Sequence, residues 1–389
     1  MTNIFRQQML QNSRLTRNMP LNADRLLAPE WTRFWLWMVI GAIVIMVAIG
    51  GATRLTGSGL SITEWKPITG AIPPLSEASW LSEFEKYRQS SQYALLNEGM
   101  TVGEFKSIYW WEWGHRQFGR LIGVFFLVPF LLLLRGWMQK QVSGSLILSL
   151  AGIAALGALQ AAVGWIMVAS GLQPGMTAVE PVKLMLHLVV ASIILFCLVN
   201  LVRGLTPQAR NILPDSLNFM AKAIVAVLLL QIALGALVAG SKAGLTYNTW
   251  PLMDGRLVPS MADLFVVTPW YENFFDNVTL VQFQHRLVAY CLVALVVLYA
   301  VRVNRAAPGT RASSQALLLA GFVLAQAGLG IVTLLLSVPV WAGLAHQILA
   351  MITLSVGTYH AVSVTGMASA FPASRETPMI LDTDHTFNA

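Results

Sequence analysis

The sequence predicts an all-α integral membrane protein with eight transmembrane helices, arranged as two pseudo-symmetric four-helix bundles. Three observations predict it. The 389 residues are 56% hydrophobic and only 11% charged, with a mean hydropathy of +0.63. A soluble domain carries roughly a quarter charged residues, which excludes a disordered chain, a nucleic-acid-binding domain and an ordinary cytosolic enzyme. Eight apolar runs each approach the length of about 20 residues that a bilayer crossing needs. The chain also repeats itself once along its length.

The first run, 34–53, is too long and too far from the start to be a cleaved signal, and no small-residue cleavage site follows it. Runs 117–137, 145–169 and 184–203 complete a first half, 34–210. Runs 219–240, 285–303, 315–336 and 340–363 make a second half, 211–365. Tails 1–33 and 366–389 flank them. The Gly- and Ala-rich stretch 151–164 predicts close helix packing. Cys197 and Cys291 both sit inside apolar runs, which supports neither a disulfide framework nor a Cys-based metal site.

Orientation follows from the basic residues. With the N-terminus inside, the inner segments hold 14 basic and six acidic residues, against 11 basic and 12 acidic outside. The positive-inside rule therefore puts both termini in the cytoplasm, with the region of Ser90 outside and Ser143 inside. Loops 54–116 and 241–284 face out. The net charge of +7 is thus a matter of sidedness and points to no acidic partner.

The repeat supplies the two halves. Gly59-Leu60-Ser61-Ile62-Thr63-Glu64-Trp65 matches Gly244-Leu245-Thr246-Tyr247-Asn248-Thr249-Trp250 at an offset of 185. Glu112-Trp113-Gly114-His115-Arg116 matches Gln282-Phe283-Gln284-His285-Arg286 at an offset of 170. His187 and His346 then correspond. Parallel repeats of this kind are related by an axis along the membrane normal.

Six histidines are present. His385 lies in the polar tail, and His360, late in the last run, reads as a packing or interfacial residue. His115, His187, His285 and His346 open the four runs that pass from outside to inside, so all four lie at one depth in the outer part of the membrane. Polar residues in a span are costly and usually functional. Neutral imidazole is a common metal ligand, and two from different helices suit the axial positions of a haem. No carboxylate accompanies His285 and His346 at ligand spacing, and zinc would want further ligands. Haem is the favoured reading; hydrogen-bonded histidines at helix mouths are the alternative.

The halves differ at one position. Glu112 stands three residues before His115, where the other half has Gln282. A carboxylate beside a buried cofactor moves protons or stabilises positive charge, and an amide does not; an interfacial acid at a helix N-terminus is the other reading. Arg116 and Arg286 follow their histidines and point about 100° away. Two roles stand for them, pairing with a haem propionate and snorkelling to headgroups. Trp65 and Trp250 read either as an aromatic belt or as covers over the pockets.

These residues resemble the haem A synthase family. The resemblance rests on Gly50-Gly51-Ala52-Thr53-Arg54-Leu55-Thr56-Gly57-Ser58-Gly59-Leu60-Ser61, on Glu64-Trp65-Lys66-Pro67 and on Glu112-x-x-His115-Arg116. It rests equally on Tyr247-Asn248-Thr249-Trp250-Pro251-Leu252-Met253, His285-Arg286 and Ala345-His346-Gln347, and covers about residues 30–365. It implies an eight-helix enzyme of cytochrome oxidase assembly that converts haem O to haem A, oxidising a porphyrin methyl to an aldehyde through hydroxylated intermediates. It implies further that His115 and His187 flank the substrate haem, that His285 and His346 ligate a permanent haem b, and that Glu112 is the catalytic acid. The outer loops hold no cysteine pair, so the chain resembles the cysteine-lacking subgroup. Expected partners are haem O, the lipid bilayer, an electron acceptor of unidentified chemistry and the enzyme that makes haem O; nucleic acid is not among them. A bacterial inner membrane is the expected location, ahead of the mitochondrial inner membrane. A bis-histidine cytochrome b passing electrons from quinol is the competing function, but it gives no reason for Glu112 against Gln282. A repeat-built transporter would place its site at the midplane.

Overall fold

A computed structural model describes residues 28–206 and 213–365. Most of the tail 1–33, the tail 366–389 and His385 lie outside the described residues. In chain order the helices are α1 (Trp31–Leu55), α2 (Glu77–Arg88), α3 (Ser91–Leu96), α4 (Val102–Met138), α5 (Gly144–Gly171), α6 (Pro181–Leu205), α7 (Asp215–Gly240), α8 (Met261–Leu264), α9 (Asn273–Asp276), α10 (Val278–Ala306), α11 (Arg311–Leu335) and α12 (Val340–Thr365). Eight of them (α1, α4, α5, α6, α7, α10, α11 and α12) are long and apolar enough to cross a membrane. The shortest has 25 residues; at 1.5 Å per residue it exceeds the hydrocarbon thickness of about 30 Å.

Two boundaries differ from the hydropathy reading. The second spanning helix starts at Val102 and not near 117, because Thr101 and Glu104 form a capping box that begins it in the outer loop. The sixth starts at Val278 and not at 285, with Asn277 accepting from the Thr279 and Leu280 amides. His115 and His285 are therefore well inside regular helix, so Glu112 and His115 do share one helical face.

Neighbouring helices pack in chain order within each half, α1 on α4, α5 on α6, α7 on α10 and α11 on α12. Between the halves α6 meets both α7 and α12, and α12 meets α1. The main apolar core occupies one part of the depth. It includes Leu36 and Val39 of α1, Leu146 and Leu150 of α5, Leu195 and Leu198 of α6, and Ile224 of α7. All lie toward the end where α1 begins and α12 finishes. Toward the other end residues 113–120 and 343–350 are only half-buried. The histidines stand in this second zone.

His360 belongs to the packed zone. It is buried, hydrogen-bonded to the Tyr299 hydroxyl at 2.7 Å and to Gln315 Oε1 at 3.3 Å, and so fills the packing role expected of it. Within the stretch 151–164, Gly164 lies against His187 of the next membrane helix, while Gly157 has open space beside it.

The first long loop has a small core of its own, Trp80, Phe84, Tyr87, Phe105 and Tyr109 against Ile62. Gln92 anchors it to the membrane helices by donating to the Gly57 carbonyl at 3.1 Å and the Thr177 carbonyl at 3.3 Å. Gly57 has φ +69°, and Lys242, at the matching repeat position, has φ +54°. Both turns leave their helix through the left-handed region, which glycine enters without steric cost and lysine does not.

Candidate functional site

Each of the four histidines packs against a glycine of the preceding membrane helix. A Cβ on Gly50 would stand 3.0 Å from His115 Nε2, and one on Gly235 would stand 3.1 Å from His285 Cε1. At Gly164 and Gly330 it would come within 2.8 Å of the His187 and His346 rings. A Cβ would collide with the ring at Gly164 and Gly330 and press on it at Gly50 and Gly235, so the glycines let the imidazoles lie close to helix backbone. His115 and His187 stand on α4 and α6 against glycines of α1 and α5, and His285 and His346 on α10 and α12 against glycines of α7 and α11. The structure thus brings the four together as two pairs, one per half.

Three of the rings have a glutamine beside them. Gln231 Nε2 lies 3.0 Å from His285 Nδ1 and donates to the His285 carbonyl at 3.1 Å. Gln326 repeats this on His346 at 3.2 and 3.0 Å. Gln160 lies 3.3 Å from His187 Nε2. Nothing in the sequence pattern alone marks these glutamines as ring partners, although each stands four residues before its glycine in the pattern Gln-x-x-x-Gly.

Glu112 is 2% exposed and fully bonded. Its Oε2 accepts from the Ser61 hydroxyl and the Ile62 amide, both at 2.8 Å, and its Oε1 accepts from Arg116 Nη2 at 2.5 Å and Nε at 3.1 Å. Arg116 also donates to the carbonyls of Ile62 at 2.8 Å and Glu64 at 3.2 Å. It clamps the loop onto α4. The matching pair in the other half does the same with reversed polarity. Gln282 Nε2 donates to the Ala243 and Tyr247 carbonyls at 2.8 and 3.3 Å, and Arg286 Nη2 donates to the Tyr247 carbonyl at 2.8 Å and to Gln282 Oε1 at 3.1 Å. Arg286 Nε is buried without a partner.

Above the Glu112 clamp, Trp65 packs on Trp165 with ring centroids 5.0 Å apart, and the Arg116 guanidinium lies 6.0 Å over Trp165. Trp250 stays largely exposed. Lys66 and Lys86 converge on Glu64 and Glu83. Hydrogen bonds from the two lysines hold the Glu64 carboxyl below the ordinary carboxylate range.

The donor set fits an iron porphyrin. Two imidazoles per half would supply two nitrogens to a haem iron, and each ring is backed by a glycine of the preceding membrane helix. Buried acceptors without partners, the Oε1 atoms of Gln160, Gln231 and Gln326, adjoin three of the rings. Among the described residues no group of three or more His, Cys, Asp or Glu side chains converges as a non-haem metal site would require.

Comparison with known proteins identifies the family. The family model described as COX15-CtaA, cytochrome oxidase assembly protein, matches residues 33–358. The chain belongs to this family. It is similar to a protein of Methylobacterium sp. (strain 4-46) named "Heme A synthase", 58% identical over 85% of this chain and 91% of that one. It is similar also to proteins of the same name from Methylorubrum extorquens, 53% identical over 90% and 91%, and from Brucella anthropi, 46% identical over 92% and 97%. Within this cytochrome oxidase assembly family the matched segment takes in all eight membrane helices, both histidine pairs and both clamps.

Proposed function

We propose that the chain is a haem A synthase, an oxidoreductase that converts a methyl group of haem O to a formyl group through hydroxylated intermediates. The observation that carries this reading is two histidine pairs at one depth with a buried carboxylate beside only one of them. The homologues' shared name supports the substrate.

His115 and His187 would flank haem O, and His285 and His346 would hold haem b as axial ligands. When bound, haem b supplies one-electron redox chemistry inside the membrane. Glu112 stabilises positive charge that develops as the methyl is oxidised, or accepts the proton released. Arg116 fixes the carboxylate, and the Ser61 hydroxyl gives it a proton-carrying neighbour toward the outer loop. Arg286, with its unpartnered Nε, is the better placed of the two arginines for a propionate; Arg116 spends its donors on the protein. The units 34–210 and 211–365 thus divide the labour between chemistry and cofactor. Taking the methyl to the formyl level adds one oxygen atom, supplied by water, and releases four protons and four electrons, the electrons to an acceptor outside the chain; haem O arrives from the bilayer or from the enzyme that makes it.

The test is haem extraction from the purified protein expressed with and without a haem O source. Haem A formed only with haem O supports the reading. A bound b-type haem with no haem A in either culture would leave an electron-passing cytochrome.

The proposed setting is a bacterial inner membrane with both termini in the cytoplasm. Ser90 and Ser143 cap helices by accepting from Tyr93 and Leu146 amides, so the exposed neighbours Gln89 and Gln141 are the better sites for cysteine labelling. On intact spheroplasts a membrane-impermeant thiol reagent should label Gln89→Cys and spare Gln141→Cys. The opposite pattern would invert the topology.

A further inference from the structure

The four histidines differ in how firmly they are held, and the difference is graded. His285 and His346 each meet a glutamine whose Nε2 donates to the backbone carbonyl of the same residue and lies 3.0–3.4 Å from both ring nitrogens. His187 meets Gln160 through the ring alone, at 3.3 Å. His115 meets none. At the position four residues before Gly50, where the other three helices carry Gln160, Gln231 and Gln326, α1 carries Met46. The Met46 methyl lies against Gly119 of α4, one turn beyond His115.

Resting on the haem A synthase reading, we propose that Gln231 and Gln326 are positioning residues that lock the resident haem's ligands. We propose also that Met46 leaves His115 as the yielding ligand through which the substrate haem is admitted and released. An imidazole that binds iron through Nε2 carries its proton on Nδ1, and the unpartnered Oε1 of each amide is the acceptor that proton needs while the amide Nε2 stays on the carbonyl. Bonding the ring and its own backbone together fixes the ring's rotation about the side chain. Such partners on a metal-bound histidine are typically worth about 10- to 100-fold in affinity. A thioether is flexible and at best a weak acceptor. A cofactor that stays needs two fixed ligands, whereas a substrate that must leave as product needs one that lets go. The competing explanation is that the glutamines merely satisfy polar groups within the membrane. That explanation affects stability and leaves ligand exchange alone.

Carbon monoxide separates the two, because it binds ferrous haem only where an axial position opens. The probe is the full-length protein loaded with haem b in both halves by added haemin, reduced with dithionite and mixed with carbon monoxide. The wild-type protein should show one reactive and one inert haem. Met46→Gln should slow the reactive phase at least about 10-fold, a gain of ligation that misfolding does not produce. Gln231→Met and Gln326→Met should make the inert haem reactive and loosen its retention by about 10- to 100-fold. Unchanged carbon monoxide kinetics in all three variants, with a normal low-spin spectrum, would overturn this inference alone. No low-spin bis-histidine spectrum in the wild-type protein would overturn it together with the functional reading.

Discussion

Glu112→Gln should lower haem A production by about 100- to 10,000-fold, the usual range for removing a general acid or base, while the resident b-type spectrum stays. The variant is not structurally silent, and the geometry says why. Position 112 faces donors on both sides, Ser61 and Ile62 on one and Arg116 on the other. A carboxylate accepts from both. An amide accepts on one side only and turns its NH2 toward a donor on the other, at a cost of about 1–3 kcal/mol for the group left unpaired. Position 282 escapes this conflict because its loop presents carbonyls. The measurement is therefore haem A yield per resident haem, with thermal stability followed alongside. Accumulation of a hydroxymethyl intermediate would also support the assignment. Near-normal yield would return Glu112 to the role of loop clamp.

The second large effect belongs to the resident cofactor. His285→Ala and His346→Ala should each abolish the low-spin b-type spectrum, since one imidazole cannot supply both axial nitrogens. His115→Ala should keep that spectrum and lose turnover. If both C-terminal variants retain a normal reduced spectrum, the assignment of haem b to that half is wrong.

Much of this was legible in the chain. Eight spans followed from hydropathy because a bilayer sets a length that short-range composition can meet. The histidines stood out because polar groups are costly at that depth. Where the hydropathy reading failed, it failed for a physical reason: α4 and α10 begin in water, where apolarity no longer marks a helix and capping does. Thr101 and Glu104 carried that signal in the sequence. The contrast of Glu112 with Gln282 was visible, but not the cause of its structural consequence, which lies in loop groups that face donor-first in one half and acceptor-first in the other. The glutamines beside the histidines were hidden for a different reason. Their spacing is ordinary for a helix, and only the position of the next helix shows what they touch.

The adjacency of α6 and α12 has a consequence for how charge travels. These helices carry His187 and His346, one from each half, and they touch directly, with Ser192 Oγ 4.0 Å from Met351 Sδ. Beside them Gln347, the residue after His346, donates at 3.2 Å to the Val47 carbonyl of α1, one turn from the glycine against His115. Between the two histidine pairs the helices of the two halves thus touch side chain to side chain and side chain to backbone. An electron passing from one histidine pair to the other would find covalent and hydrogen-bonded protein to travel through at this contact.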